Sequence, residues 1–216
     1  MSKEKYFCSE SITNISKEMI ANIPYVREFS FDIESAALLV IDMQSCFFDE
    51  RYDQVYVPSF DAIMPNINDM IRFFDLKNRP VIYTKHMDDS NSANNMMAVW
   101  WEKKIGGGTS DIHEGINRSK NGLIVEKTQY DAFFRTNLEE LLNKNNVSSV
   151  VTTGIIADLC VETTARSAFM HGYRVFLPAD AVAAQNRKFH EASLLNLSHG
   201  FTYLCLTKDI VKNQSS

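Results

Sequence analysis

Cys160 stands in the run Val150-Val-Thr-Thr-Gly-Ile-Ile-Ala-Asp-Leu-Cys160-Val-Glu-Thr-Thr-Ala-Arg-Ser-Ala-Phe169. The run reads as a buried strand, a turn at Gly154 and a helix opening near Asp158, which sets the thiol in the first turn of a helix. Unpaired N–H groups and the helix dipole favour the thiolate there, and the thiolate is the nucleophilic form of cysteine. Two further apolar runs end in groups that complement it: Ala36-Ala-Leu-Leu-Val-Ile41 leads to Asp42, and Gly122-Leu-Ile-Val-Glu126 leads to Lys127. In an open parallel sheet the carboxyl ends of the strands share one crevice, so the three side chains can converge.

Attack on an amide carbonyl needs a nucleophile, a proton acceptor that can later protonate the leaving amine, and donors for the oxyanion. Cys160 fits the nucleophile and Asp42 the proton carrier, with Lys127 between them as the cation that keeps Asp42 ionised. Each residue also has a plainer reading. The cysteine could be a small buried residue, Asp42 a helix cap, and Lys127 a solvated strand end paired with Glu126.

The elements that must position these groups alternate after residue 35. Strands at 36–41, 81–84, 122–126, 147–153, 173–177 and 201–205 are separated by helices near 58–78, 134–145, 158–171 and 187–199, the pattern of a parallel sheet covered on both faces. Pro58 suits the first turn of its helix, in which Ile63, Ile67, Met70, Ile71 and Phe74 recur at helical spacing. The polar stretch 1–34 is expected to form an N-terminal arm on a single domain, 35–216. The loop 45–57, with Cys46, Phe47, Phe48, Tyr52 and Tyr56, is too aromatic for a plain solvent loop and is expected to line the crevice or an interface. The segment 85–121 has the length of a lid, with Gly106-Gly-Gly108 as a hinge rather than a phosphate cradle. Trp100, Trp101, Tyr130, Phe133 and Phe134 are candidates for an apolar wall around a small ligand, with core packing as the alternative.

At 216 residues and 45% hydrophobic, the chain is long enough for one sizeable core. Its net charge of −5, with no basic run, excludes a phosphate-backbone tracker. The four cysteines show no CxxC spacing, and the N-terminus has no apolar signal core, so a reducing cytoplasm is expected. No apolar stretch approaches the roughly 20 residues that span a bilayer. The expected partner is a small-molecule substrate, without nucleic acid or membrane.

Val40-Ile-Asp42-Met-Gln-Ser-Cys-Phe47, Val81-Ile-Tyr-Thr84, Glu126-Lys127-Thr-Gln-Tyr-Asp-Ala-Phe-Phe134, Gly154-Ile-Ile-Ala-Asp-Leu-Cys160-Val-Glu-Thr-Thr-Ala165, Gly172-Tyr-Arg-Val175 and Ala179-Asp180-Ala181 occur in this order. Together they resemble the motifs of isochorismatase-like cysteine hydrolases from about Ser35 to Thr207. The resemblance implies a three-layer α/β fold with a mostly parallel six-stranded sheet ordered 3-2-1-4-5-6. It also implies the triad Asp42, Lys127 and Cys160, and a non-proline cis peptide between Ile155 and Ile156. The backbone N–H groups of Ile156 and Cys160 would be the oxyanion donors. Ala157 and Asp131 depart from the Thr and Ser usual in that pattern, without touching the triad.

The family includes enzymes that cleave a vinyl ether and enzymes that cleave amide, carbamoyl or ureido bonds. Well-known members of the first kind have Gly at the position of Cys160, so cysteine argues for a C–N bond cleaved through a thioester. The closest likeness is to the ureidoacrylate and N-carbamoylsarcosine amidohydrolase branch. Vinyl-ether hydrolysis with Asp42 as general acid, and an idle binding protein, are the alternatives. No cofactor is expected, and no catalytic metal, because Thr84-Lys-His-Met-Asp-Asp89 lacks the Asp-x-His triplet of metal-bearing nicotinamidases. His86 and Asp88 alone fall short of three ligands. His86 is instead expected to face substrate, with Phe47, Trp100, Trp101, Tyr130 and Phe133. A homodimer or homotetramer is expected by the same resemblance.

Overall fold

The structure, a computed structural model, describes residues 2–87, 96–101 and 111–211. The proposed hinge at Gly106-Gly-Gly108, much of the proposed lid, and Asp88 lie outside the described residues. Seven strands form one sheet: β1 (Ala36–Ile41), β2 (Val81–His86), β3 (Leu123–Lys127), β4 (Ser149–Ile155), β5 (Arg174–Pro178), β6 (Val182–Ala183) and β7 (Tyr203–Cys205). Every pairing is parallel, in the order β3-β2-β1-β4-β5-β7, and the two-residue β6 adds to the end of β4. The expected order therefore holds, with β7 as its sixth strand and β6 as an addition that was too short to read in the sequence.

The central strands β1 and β4 are buried at every position, as near-continuous apolar runs require when both faces are covered. The helices are α1 (Ile12–Ala21), α2 (Phe60–Leu76), α3 (Met96–Trp101), α4 (Leu138–Lys144), α5 (Glu162–Met170), α6 (Arg187–Gly200) and α7 (Thr207–Val211). The helices α2 and α7 pack together, with α2 against β1, β2 and β4, while α5 and α6 pack together against β5 and β7. All five apolar positions read at helical spacing in α2 are buried.

Several boundaries differ from the sequence reading. Gly154 is not a turn but lies inside β4, at φ +103°, opposite Ile41. A Cβ there would meet the Ile41 carbonyl oxygen at 2.1 Å, so glycine is what lets β4 approach β1. The helix expected from 134 starts at Leu138, because Arg135 takes φ +55° and the Thr136 hydroxyl closes a turn onto the Ala132 carbonyl at 2.5 Å. Pro58 stands two residues before α2 rather than in its first turn. Ser59 precedes the helix, and its hydroxyl accepts the backbone N–H groups of Tyr6 and Phe7, both at 3.2 Å.

Those bonds tie the N-terminal segment to the body. Tyr6 and Phe7 are buried, and the Tyr6 hydroxyl accepts from the Ala184 N–H at 2.9 Å and lies 3.0 Å from His190 Nδ1. The helix α1 packs on α6 through an inward face that includes Ile12 and Met19.

Gly154→Ala is expected to cost about 3 kcal/mol or more, since the strained φ and the backbone collision add. Urea denaturation checks this; a change below about 1 kcal/mol would show that β1 and β4 can separate without loss.

Candidate active site

Three strand ends bring the chemistry together. Asp42 follows β1 at φ +49°, a left-handed conformation that aspartate adopts more readily than most residues. The helical turn that follows begins only at Ser45, so Asp42 is not its cap. On the edge strand β3, inward Val125 and Lys127 alternate with outward Ile124 and Glu126. Period-two alternation thus turns the lysine into the protein and leaves Glu126 in solvent, against the solvated-lysine alternative. Cys160 lies in a π-helical turn, Ala157–Val161, that joins β4 to α5. The Ile155–Ile156 peptide is cis.

The side chains of Asp42 and Lys127 are sealed from solvent, and Cys160 is 6% exposed. Lys127 Nζ lies 2.7 Å from Asp42 Oδ2 and 3.4 Å from Cys160 Sγ, and donates to the Gln129 carbonyl at 2.9 Å. Asp42 is fixed from its other side by Thr84, whose hydroxyl donates to Oδ1 at 2.5 Å and accepts the Asp42 backbone N–H at 3.0 Å. The ammonium therefore sits between acid and thiol.

Burial alone would raise the Asp42 carboxyl, but the Lys127 ammonium outweighs it and holds the group below the usual carboxylate range. Burial would likewise lower Lys127, yet Asp42 and Cys160 keep its pKa above that of an ordinary lysine. Burial pushes the Cys160 thiol well up and Asp42 adds to this, while Lys127 offsets only part. These directions favour a carboxylate, an ammonium and a neutral thiol at rest. The direction is opposite to the lowering expected from the helix start: desolvation in a closed pocket outweighs it.

The other expected site residues divide. His86 ends β2 opposite Lys127 and is buried within the electrostatic reach of Lys127 and Asp42. Phe47 is buried in the turn Ser45–Phe47, and the 45–57 loop with residues 112–114 borders a cavity of about 620 Å³ lined in part by Phe48, Arg51 and His113. Tyr130 is half-buried within the electrostatic reach of Cys160 and Lys127, and its hydroxyl accepts from Trp101 Nε1 at 2.8 Å. Two aromatics do not join them. Trp100 is 73% exposed, because adjacent residues on α3 point in different directions. Phe133 packs on the rings of His171, at 4.7 Å, and Tyr173, at 6.0 Å, where α5 ends and β5 begins, rather than in the crevice. Phe134 is half exposed under Arg135.

The sequence reading missed Thr84 and Gln44 as site residues. Gln44 accepts the His86 N–H at 2.7 Å and donates to the His86 carbonyl at 3.1 Å, locking the loop after β1 to the end of β2. Thr84 shares a strand face with His86 two residues on, a signal the alternation carried. Among the described residues, no three of His, Cys, Asp and Glu are grouped so as to hold a metal ion. His113 packs on Phe48 and Phe60, His171 pairs with Glu139, and His190 bonds Tyr6.

A carboxylate, an ammonium and a thiol thus meet at the carboxyl ends of the parallel strands. Residues 36–209 match the model of the isochorismatase domain, and the chain belongs to that family of hydrolases. It is 38% identical over 177 residues to Nicotinamidase 3 of Arabidopsis thaliana, an alignment covering 78% of this chain and 83% of the relative. Among solved structures, a cysteine hydrolase from Pseudomonas syringae pv. phaseolicola superposes with a TM-score of 0.79 at 22% identity, covering 88% of this chain and 97% of that one. The N-carbamoylsarcosine amidase of Thermoplasma acidophilum gives 0.70 at 25%, covering 80% and 96%.

Lys127→Met is expected to cost about 3–5 kcal/mol in urea denaturation, because it strands a buried carboxylate. Combining it with Asp42→Asn is expected to recover more than half of that loss. Purely additive losses would contradict a coupled pair.

Proposed function

We propose that the chain is a cysteine amidohydrolase that cleaves the C–N bond of a small amide, carbamoyl or ureido substrate through a thioester on Cys160. The observation that carries the reading is Lys127 placed between Asp42, at 2.7 Å, and Cys160, at 3.4 Å. As Sγ attacks the carbonyl carbon, the thiol proton passes to Asp42, and the ammonium stabilises the sulfur as charge develops on it. The backbone N–H groups of Ile156 and Cys160 are assigned to the oxyanion. The tetrahedral intermediate collapses, the C–N bond breaks, and Asp42 returns its proton to the departing nitrogen. Water then attacks the thioester, giving up its proton to Asp42; the acid is released and the thiol is restored.

A neutral resting thiol suits this cycle, because thiol and carboxylate border the same ammonium and the proton moves between neighbours as the bond to carbon forms. An ionised Asp42 is the wrong form to open a vinyl-ether reaction by protonation. The names of two relatives, a nicotinamidase and an N-carbamoylsarcosine amidase, support including a heteroaromatic carboxamide beside carbamoyl compounds among the substrate classes proposed. No cofactor enters any step. A reducing cytoplasmic setting is part of the proposal, supported by four cysteines that form no disulfide, three of them buried. Among the described residues no helix is long and apolar enough to cross a membrane. A homodimer or homotetramer is supported by exposed Tyr25, Phe48, Phe169, Met170 and Leu195.

The test is ammonia release from nicotinamide, other primary carboxamides, N-carbamoyl amino acids and ureido acids, with isochorismate alongside, for wild type and Cys160→Ala. Turnover of at least one amide or ureide is expected, falling on the order of 10⁴-fold in the variant. Isochorismate cleavage that survives in Cys160→Ala would establish acid-catalysed ether cleavage instead, and silence on the whole panel would favour a binding protein.

A further inference from the structure

His86 is a buried polar group near Asp42 and Lys127 that the proposed cycle does not use. Its backbone is clamped by both ends of the Gln44 amide, and its side chain is only 3% exposed. The ring donates a hydrogen bond to the Gln129 carbonyl, the same oxygen that receives Lys127 Nζ. Nδ1 has no partner. The proton therefore sits on Nε2, and Nδ1 presents a bare lone pair. Burial and the Lys127 charge push the ring's pKa down to about 4, so it stays a neutral acceptor at physiological pH. A buried acceptor without a donor is unfavourable, and a ligand donor at that atom would offset this.

An unsubstituted amide, –CO–NH₂, has two N–H donors at one end and a carbonyl acceptor at the other, and the two ends are nearly the same size. Productive attack needs the nitrogen toward Asp42, which must protonate it, and the oxygen toward backbone donors. Asp42 supplies one acceptor on the nitrogen side. We propose that His86 Nδ1 supplies the second, accepting the other N–H of the substrate's terminal –NH₂ group. His86 is then a specificity residue that fixes which end of the amide faces the acid, and selects primary carboxamides and terminal carbamoyl groups over N-alkyl amides. The inference rests on the amidohydrolase reading and adds to it the form of the leaving nitrogen.

The experiment compares kcat/KM for nicotinamide, N-methylnicotinamide bearing the methyl on the amide nitrogen, and methyl nicotinate, in wild type, His86→Leu and His86→Asn. Leucine removes the acceptor, whereas asparagine can return an oxygen to the place of Nδ1. His86→Leu is expected to lose about tenfold on the primary amide and less than about twofold on the ester, with His86→Asn recovering most of the loss. An equal loss on amide and ester would overturn the proposal in favour of a merely structural ring. A second readout does not depend on turnover: nitrogen-15 NMR of the histidine ring in Cys160→Ala. Nicotinamide is expected to shift the Nδ1 resonance toward that of a hydrogen-bonded nitrogen, and methyl nicotinate to leave it in place. An Nδ1 signal indifferent to the amide would overturn the proposal. Absence of amide turnover in wild type despite that shift would count against the amidohydrolase reading and not against the contact.

Discussion

The site depends on one buried ion pair, Lys127 with Asp42, closed off from water on all sides. Burying either charge alone would cost several kcal/mol, so neither side chain is tenable there without the other. Together they are neutral, and their neutrality decides the state of the third partner. Cys160 enters a site whose charges already balance; ionising it would add an uncompensated negative charge in a desolvated space, so the thiol keeps its proton. In the proposed mechanism the carboxylate that discourages the thiolate is also the base that takes the proton once a carbonyl carbon is present to share the sulfur's electrons. Stability and reactivity thus have the same origin.

The scaffold supplies the precision this requires. Asp42, His86 and Lys127 end or follow three adjacent parallel strands, and Cys160 follows a fourth, so backbone ladders set their separations rather than loops. Hydrogen bonds to side chains refine the placement: Thr84 grips Asp42 from two directions, and Gln44 clamps His86. Gly154 permits β4 to lie against β1 closely enough for the cysteine turn to reach the acid. A substrate carbonyl would meet groups already locked in position, the condition under which electrostatic stabilisation is most effective.

Much of this could be read before any coordinates. Strand ends carrying Asp42 and Lys127 and the turn carrying Cys160 are visible as apolar runs that stop at chemically useful residues, and the strand order followed from the family likeness. The inward aim of Lys127 was also available, since it shares parity with Val125. Depth was not legible: a helix start argues for a thiolate, and only the enclosure of Cys160 reverses that. Direction within irregular segments was hidden too. Trp100 and Trp101 are neighbours of identical type, and only helical geometry separates the exposed ring from the one that meets Tyr130. Phe133 stacks on His171 and Tyr173 just before a positive φ at Arg135 and within a turn closed by Thr136, a conformation that no local pattern announced.

The central claim is that the resting thiol is neutral beside an ionised acid, and infrared difference spectroscopy of the S–H stretch tests it most directly. Wild type minus Cys160→Ser at neutral pH is expected to show an S–H band, with no thiolate absorbance in the ultraviolet. A missing S–H band accompanied by thiolate absorbance would contradict the account, and would mean that the ammonium of Lys127 serves the sulfur before it serves the carboxylate.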